Sequence, residues 1–109
     1  MRRSLEQALV YAREKKQPEF ELVALGNLAA VAGKMVRWEK AIEYLEQSLV
    51  VAREAKYRTH EGNILHNLGI CYETLGRIDK SIEYYQMDVA VRRELGNPDG
   101  LASALYKLV

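Results

Sequence analysis

The sequence predicts an all-α chain of about six helices, arranged as antiparallel helix pairs stacked into a solenoid. Three observations predict it. The chain repeats itself at an offset of 40 residues, its apolar residues recur at spacings of three and four, and no stretch alternates apolar with polar as a strand would. The repeat aligns 21–60 with 61–100 without a gap. Identities fall at Glu21/Glu61, Leu25/Leu65, Asn27/Asn67, Leu28/Leu68, Arg37/Arg77, Lys40/Lys80, Ile42/Ile82, Glu43/Glu83, Tyr44/Tyr84, Val51/Val91, Arg53/Arg93 and Glu54/Glu94. The opening LEQALVYAREKK (5–16) lies over LEQSLVVAREAK (45–56) in the same register, and Pro98 lies over Pro18 at twice the offset.

The elements follow in order, at 2–16, 19–34, 38–56, 59–75, 78–95 and 99–108. The first has Leu5, Ala8, Leu9 and Ala12 on one broad face. The second and third carry Leu25, Leu28, Ala29 and Ala32, then Ala41 and Leu45. In 59–75 the packing face is Leu65, Leu68, Gly69, Tyr72 and Leu75, with Gly76 as the stop. Helix 78–95 has two stripes, Ile78, Ile82, Tyr85 and Val89, then Tyr84, Met87, Val91 and Leu95; Gly96-Asn97-Pro98 ends it. A helix with two apolar stripes packs on its own partner and on the next unit, as a stacked solenoid requires. The last helix shows Leu101, Leu105 and Leu108. The chain thus reads as one repeat domain, with a half repeat at 1–18, repeats at 19–58 and 59–98, and a half repeat at 99–109.

Composition narrows the function classes. Sixteen basic against fifteen acidic residues give a net charge of +1, which argues against nucleic acid, whose phosphates need a basic footprint. Hydrophobic residues at 49% place the chain among globular domains rather than disordered ones. No run approaches the roughly 18 apolar residues of a membrane span, and the start lacks the apolar core of a secretory signal. Cys71 is the one cysteine, so neither a disulfide framework nor a cysteine zinc cluster is open to the chain. A cytoplasmic setting is expected.

The residues at this point resemble the tetratricopeptide repeat. Leu65-x2-Leu68-Gly69-x2-Tyr72 with Ser81-x3-Tyr85 follows its W-x2-L-G-x2-Y and A-x3-F pattern with conservative changes, and Leu25-x2-Leu28-Ala29-x2-Ala32 with Ala41-x3-Leu45 follows it more loosely. The 40-residue period is similar to the long repeats of kinesin light chains and of spindle-orientation adaptors, as is the stretch NLG followed by CYETLGRIDKSIEYY. The resemblance implies a right-handed superhelix of helix pairs, with small residues at Ala29, Gly69, Ala41 and Ser81 where axes approach closely. It also implies a protein or peptide partner, bound in a concave groove floored by the first helix of each pair. At 100° per residue, the direction opposite the packing face holds Asn63, Asn67, Ile70 and Thr74 in one period and Val23, Asn27, Ala30 and Lys34 in the preceding one. Ser103 and Lys107 follow in the last half repeat, and Gly26 and His66 flank the floor.

Asn27 and Asn67 carry most of that expectation. Asparagine is a mediocre interior helix former, and its side chain offers a donor and an acceptor to a peptide backbone. The alternative is that both only tie neighbouring helices together. Lys34 and Lys107 would draw acidic groups, and Val23, Ala30 and Ile70 apolar ones. His60 reads as a surface residue; His66 is set on the side of its helix away from the packing stripe, facing a ligand. The two are six apart and cannot form an i, i+4 metal pair. Cys71 has no basic neighbour at helical spacing to make a thiolate, and no phosphate-binding or nucleophile motif occurs. The expectation is a binding adaptor or regulatory scaffold, with no catalytic residues, no metal, no cofactor, no membrane contact and no nucleic acid. The rival reading is a self-assembling unit, a homo-oligomer through its end helices. One departure from the repeat stands out: Ala8/Ala12 and Ser48/Ala52 become Asp88/Arg92, four apart on one face. The pair marks either the polar edge of an array or a salt bridge in a loose interface.

Overall fold

A computed structural model describes residues 4–96 and 98–108. They form six helices, α1 (Leu5–Glu14), α2 (Pro18–Lys34), α3 (Trp38–Ala55), α4 (Arg58–Thr74), α5 (Ile78–Leu95) and α6 (Pro98–Leu108), and contain no strand. The six expected helices are all present, with ends shifted by up to three residues. Ser4 moves the first start: its extended backbone stops the helix, and its hydroxyl accepts from the Gln7 N–H while the Gln7 side chain accepts from the Ser4 N–H. Residue 2, the expected start, and Asn97 in the expected stop lie outside the described residues. No helix among the described residues is long and apolar enough to cross a membrane.

The turns come from one repeated device. Lys16, Val36, Lys56, Gly76 and Gly96, each 20 residues after the last, take the left-handed conformation that ends a helix. At Lys16, Val36 and Gly76 the full Schellman pattern closes the turn: Gln17 donates to the Ala12 carbonyl at 3.0 Å, Arg37 to Ala32 at 2.8 Å and Arg77 to Tyr72 at 2.9 Å. These bonds satisfy carbonyls that a helix end otherwise leaves unpaired. Glycine therefore supplies only two of the five stops.

The helices cluster into two compact units, one ending at Ala55 and holding α1–α3, the other starting at Lys56 and holding α4–α6. In the first, Leu9, Ala24, Leu25 and Leu28 form a core, with Leu5, Ala8, Tyr44 and Val51 packed against it. Ala29, Ala41, Leu45 and Leu49 bury the contact of α2 with α3. In the second, Leu65 and Leu68 are wholly buried, and Tyr85 is seated on Gly69. A β-carbon at Gly69 would stand 2.4 Å from the Tyr85 ring, so glycine is required there. The equivalent pair in the first unit, Ala29 with Leu45, divides the same space the other way. The small residues at Ala29, Ala41, Gly69 and Ser81 are all buried, and at Gly69 the two helices approach closely. Tyr72 stacks on Tyr84 with ring centres 5.5 Å apart, and Arg77 and Lys80 lie over the two rings. The double stripe of α5 is only partly used: Tyr84, Tyr85, Val89 and Val91 are buried, whereas Ile78, Ile82, Met87 and Leu95 are exposed.

Two outcomes test this packing. Val36 is a β-branched residue with φ of 58°, exposed and making no core contact that its replacement would lose. A left-handed L-residue costs about 1–2 kcal/mol, against roughly 0.5–1 kcal/mol for the extra freedom of glycine. Val36→Gly should raise stability in urea unfolding by about 0.5–1 kcal/mol. Gly69→Ala should lower it by about 1–3 kcal/mol through overpacking. Adding Tyr85→Leu, which recreates the Ala29–Leu45 pairing, should make the double variant more stable than the sum of the two single effects by at least about 0.5 kcal/mol. Simple additivity would show that the two side chains do not share this space.

Candidate functional site

The second unit contains a polar cleft of about 450 Å³, walled by α4, α5 and α6. Asn63, His66 and Asn67 come from α4, Asp88 and Arg92 from α5, and Gly100 and Ser103 from α6. At its base lies a connected network. Asp88 is 1% exposed and uses both carboxylate oxygens: Arg92 Nε donates to one at 2.9 Å, and His66 Nδ1 bonds the other at 3.1 Å. Arg92 Nη2 donates to Asn63 Oδ1 at 2.7 Å. Because an ionised carboxylate only accepts, His66 carries its proton on Nδ1. The network's unused groups are then the second ring nitrogen of His66, an acceptor when the imidazole is neutral, and the amide N–H groups of Asn63 and remaining N–H groups of Arg92, which are donors.

The first unit shows why the cleft is polar only here. Leu22, Val23, Gly26, Ser48 and Ala52 stand where the second unit has Gly62, Asn63, His66, Asp88 and Arg92. Leu22 and Ala52 are both buried; their counterparts reverse the sizes, and the Arg92 guanidinium lies over Gly62, 2.9 Å from where a β-carbon would be. An arginine is thus admitted to a buried helix contact by deletion of the leucine opposite, and an aspartate neutralises it. Asp88 and Arg92 accordingly do not mark an exposed polar edge; they form a closely fitted buried ion pair. Breaking such a pair from one side leaves a buried charge without a partner.

His66 also departs from expectation. It does not face away from the packing stripe: its ring lies 5.6 Å from that of Tyr85, and its side chain is 21% exposed. The close seating of Tyr85 on Gly69 brings α5 near enough to cover a wider arc of α4 than the apolar stripe alone defines. His60 is exposed, as expected, with its ring near Tyr57. Cys71 is buried, and burial pushes its thiol up, away from thiolate chemistry.

The other expected site residues divide between the units. Val23 and Asn27 line an apolar cleft of about 690 Å³ between α1 and α2, with Leu5, Ala8, Tyr11 and Phe20. Gly26, Ala30 and Lys34 are exposed on α2 outside it. Ile70 is half-buried on α4, and the exposed Thr74 donates its hydroxyl to the Ile70 carbonyl at 2.9 Å. Lys107 is exposed on α6. In the repeat register, Ala8, Ala12, Phe20 and Val23 of the apolar cleft correspond to Asp88, Arg92, Gly100 and Ser103 of the polar one. One position of the repeat has therefore been given two opposite chemistries.

Sequence reasoning passed over Gly62, Gly100 and the buried Glu61. Glu61 is 5% exposed and accepts from Arg58 at 2.6 Å, while Arg58 also bonds Glu94. The hydrogen bonds to Glu61 and Glu94 raise the Arg58 pKa further above its ordinary value. Tyr85 donates its hydroxyl to Glu73 at 2.7 Å, and burial, then that bond, hold the phenol protonated. The paired change of Leu22/Ala52 to Gly62/Arg92 was the available signal for the network.

A comparison with curated proteins finds no match. A protein-family model described as tetratricopeptide repeat matches residues 20–94. That span covers α3 and α4 with most of α2 and α5, the two full helix pairs described above. The chain belongs to the tetratricopeptide repeat family.

Proposed function

We propose that this chain is an adaptor or regulatory module that binds an extended segment of another protein and has no chemistry of its own. Repeats of this family generally mediate protein–protein interactions. The observation that carries the reading is the placement of Asn27 and Asn67. They occupy one repeat position on α2 and α4, both are exposed, and neither side chain makes a hydrogen bond among the described residues. Two polar side chains retained at the same exposed place, without an internal partner, suit contact with a peptide backbone better than a tie between helices. Val23 beside Asn27 would add apolar contact, and Asn63, His66 and Ser103 beside Asn67 would add polar contact. The balanced charge supports a protein rather than a nucleic-acid partner. The reading places the module in the cytoplasm, where a lone buried cysteine stays reduced.

A specific observation also supports self-association. Leu105 on α6 is 38% exposed, whereas Leu25 and Leu65 at the same repeat position are 0% exposed. A trailing helix like α1, supplied by a second copy, would cover it. Burying such a leucine fully is worth roughly 1.5–3 kcal/mol.

Segments captured by the purified chain, identified by mass spectrometry and resynthesised, would supply peptides for fluorescence anisotropy. Changing Asn27 and Asn67 together to Ala should weaken their binding and leave the melting temperature nearly unchanged, since helix propensity gains only some tenths of a kcal/mol per site, about 0.5 or less. A stability loss above about 2 kcal/mol would instead give the asparagines a structural role. For self-association, sedimentation over a wide concentration range should show a reversible dimer or larger species that Leu105→Glu abolishes. A monomer at every concentration would remove that reading.

A further inference from the structure

We propose that the apolar cleft between α1 and α2 is half of an intermolecular site, completed when α6 of a second copy docks on α1, head to tail. The inference deepens the self-association reading above and rests on it.

The repeat supplies the template. In each unit the first helix of a pair packs on the second, α2 on α3 and α4 on α5. In the same register α6 is a first helix and α1 a second helix: 98–108 lies over 18–28 and 58–68, and 5–14 over 45–54 and 85–94. The helices of a pair are antiparallel, so these are the two stretches that meet. In the second unit Asn63 meets Arg92 and His66 meets Asp88; the counterparts are Ser103 with Ala12 and Tyr106 with Ala8. The faces are open where the pairing is absent. Leu65 and His66 are covered by α5, whereas Leu105 is exposed and Tyr106 is 79% exposed. On the other side Leu5 and Ala8 are half-buried, and Tyr11, Phe20 and Val23 beside them are exposed.

The chemistry of the two faces matches. Asp88 and Arg92 require polar partners, and α4 supplies them. Ala8 and Ala12 are small and uncharged, and the α6 residues that fall opposite them, Tyr106 and Ala102, are uncharged too. A phenol ring over Ala8 takes the space that the imidazole and carboxylate share in the second unit, with its hydroxyl free to stay at the wet rim. This is the compensation already seen across the helix pairs, where a bulky residue faces a small one. The second unit's cleft has two walls, α4 and α6, over a floor of α5; in the first unit α2 is one wall and α1 the floor. The second copy's α6 supplies the other wall. Its Ser103 and Tyr106 then stand opposite Phe20 and Val23, as Asn63 and His66 stand opposite Gly100 and Ser103. The joint therefore continues the repeat's own interface, and burial of exposed apolar side chains on both faces drives it. Because α6 and α1 are different surfaces, the contact is heterologous. It repeats at the next copy, giving a ring where the rotation closes and an open chain where it does not.

Two variants and their mixture test the joint by sedimentation over a wide concentration range. Tyr106→Glu puts a charge on the α6 face at an exposed position and leaves α1 intact. Ala8→Arg puts one on the α1 face and leaves α6 intact; Val23→Arg, at an exposed position of the same cleft, replaces it if circular dichroism shows lost helix. The unchanged chain should gain mass with concentration. Each variant alone should associate at least about tenfold more weakly, because the joint would bury a charge without a partner. An equimolar mixture of the two should form a species of two chains and nothing larger, since one intact α6 meets one intact α1. With the Tyr106→Glu chain ¹³C-methyl-labelled, its Leu5 and Val23 signals should shift when the Ala8→Arg chain is added, and its Ile78 and Ile82 signals should not. A contact of α6 with α6 would leave Ala8→Arg associating like the unchanged chain. That result, a mixture that stays monomeric or grows past two chains, or unmoved Leu5 and Val23 signals would overturn the proposal while leaving self-association intact. An unchanged chain that is monomeric at every concentration would remove both.

Discussion

The seating of Tyr85 on the backbone at Gly69 governs the second unit. A helix pair can bury its apolar stripes only if the axes come close, and closeness requires that one partner give up its side chain where the other is bulky. Here α4 yields, and a ring fills the space to within 2.4 Å of an imagined β-carbon. The same approach carries His66 against α5, puts Asp88 within reach of its Nδ1, and lets the Tyr85 hydroxyl reach Glu73. The polar cleft is therefore a consequence of how tightly the apolar contact closes.

The two units illustrate how a repeat diverges without losing its fold. Each change is compensated by its neighbour across the helix pair: Ala29 with Leu45 becomes Gly69 with Tyr85, and Leu22 with Ala52 becomes Gly62 with Arg92. The volume is kept while the chemistry is replaced. Introducing a buried charge is costly on its own, and the second unit meets that cost with a full set of partners. Among the described residues, no buried side-chain polar atom lacks a hydrogen bond. A fully satisfied network of this kind is rigid.

The helix ends follow a different economy. Five left-handed residues recur every 20 positions, yet glycine occupies only the last two. Lys16 and Val36 accept conformational strain because the Schellman bonds over-determine the turn. Spacing is thus maintained more strictly than residue type. An offset of 40 is visible in the sequence without gaps for the same reason: an inserted residue would rotate every later packing face by 100°.

Much of this was legible from the residues alone. Helix type, number and order, the 40-residue repeat and the small residues at Ala29, Ala41, Gly69 and Ser81 follow from periodicity, because apolar spacing and close packing are local properties of a single helix face. The exposed placement of Asn27 and Asn67 followed from the same geometry. Tertiary structure alone decided the environment of His66, Glu61, Asp88 and Arg92. A helical wheel gives the direction of a side chain but not the distance of the neighbouring helix, and that distance turns an i, i+4 charge pair into a buried network. It likewise decided that Val23 and Asn27 line an apolar cleft while Asn63, His66, Asn67 and Ser103 share a polar one, since a cleft is made by residues far apart in sequence whose helices meet only after the chain has folded.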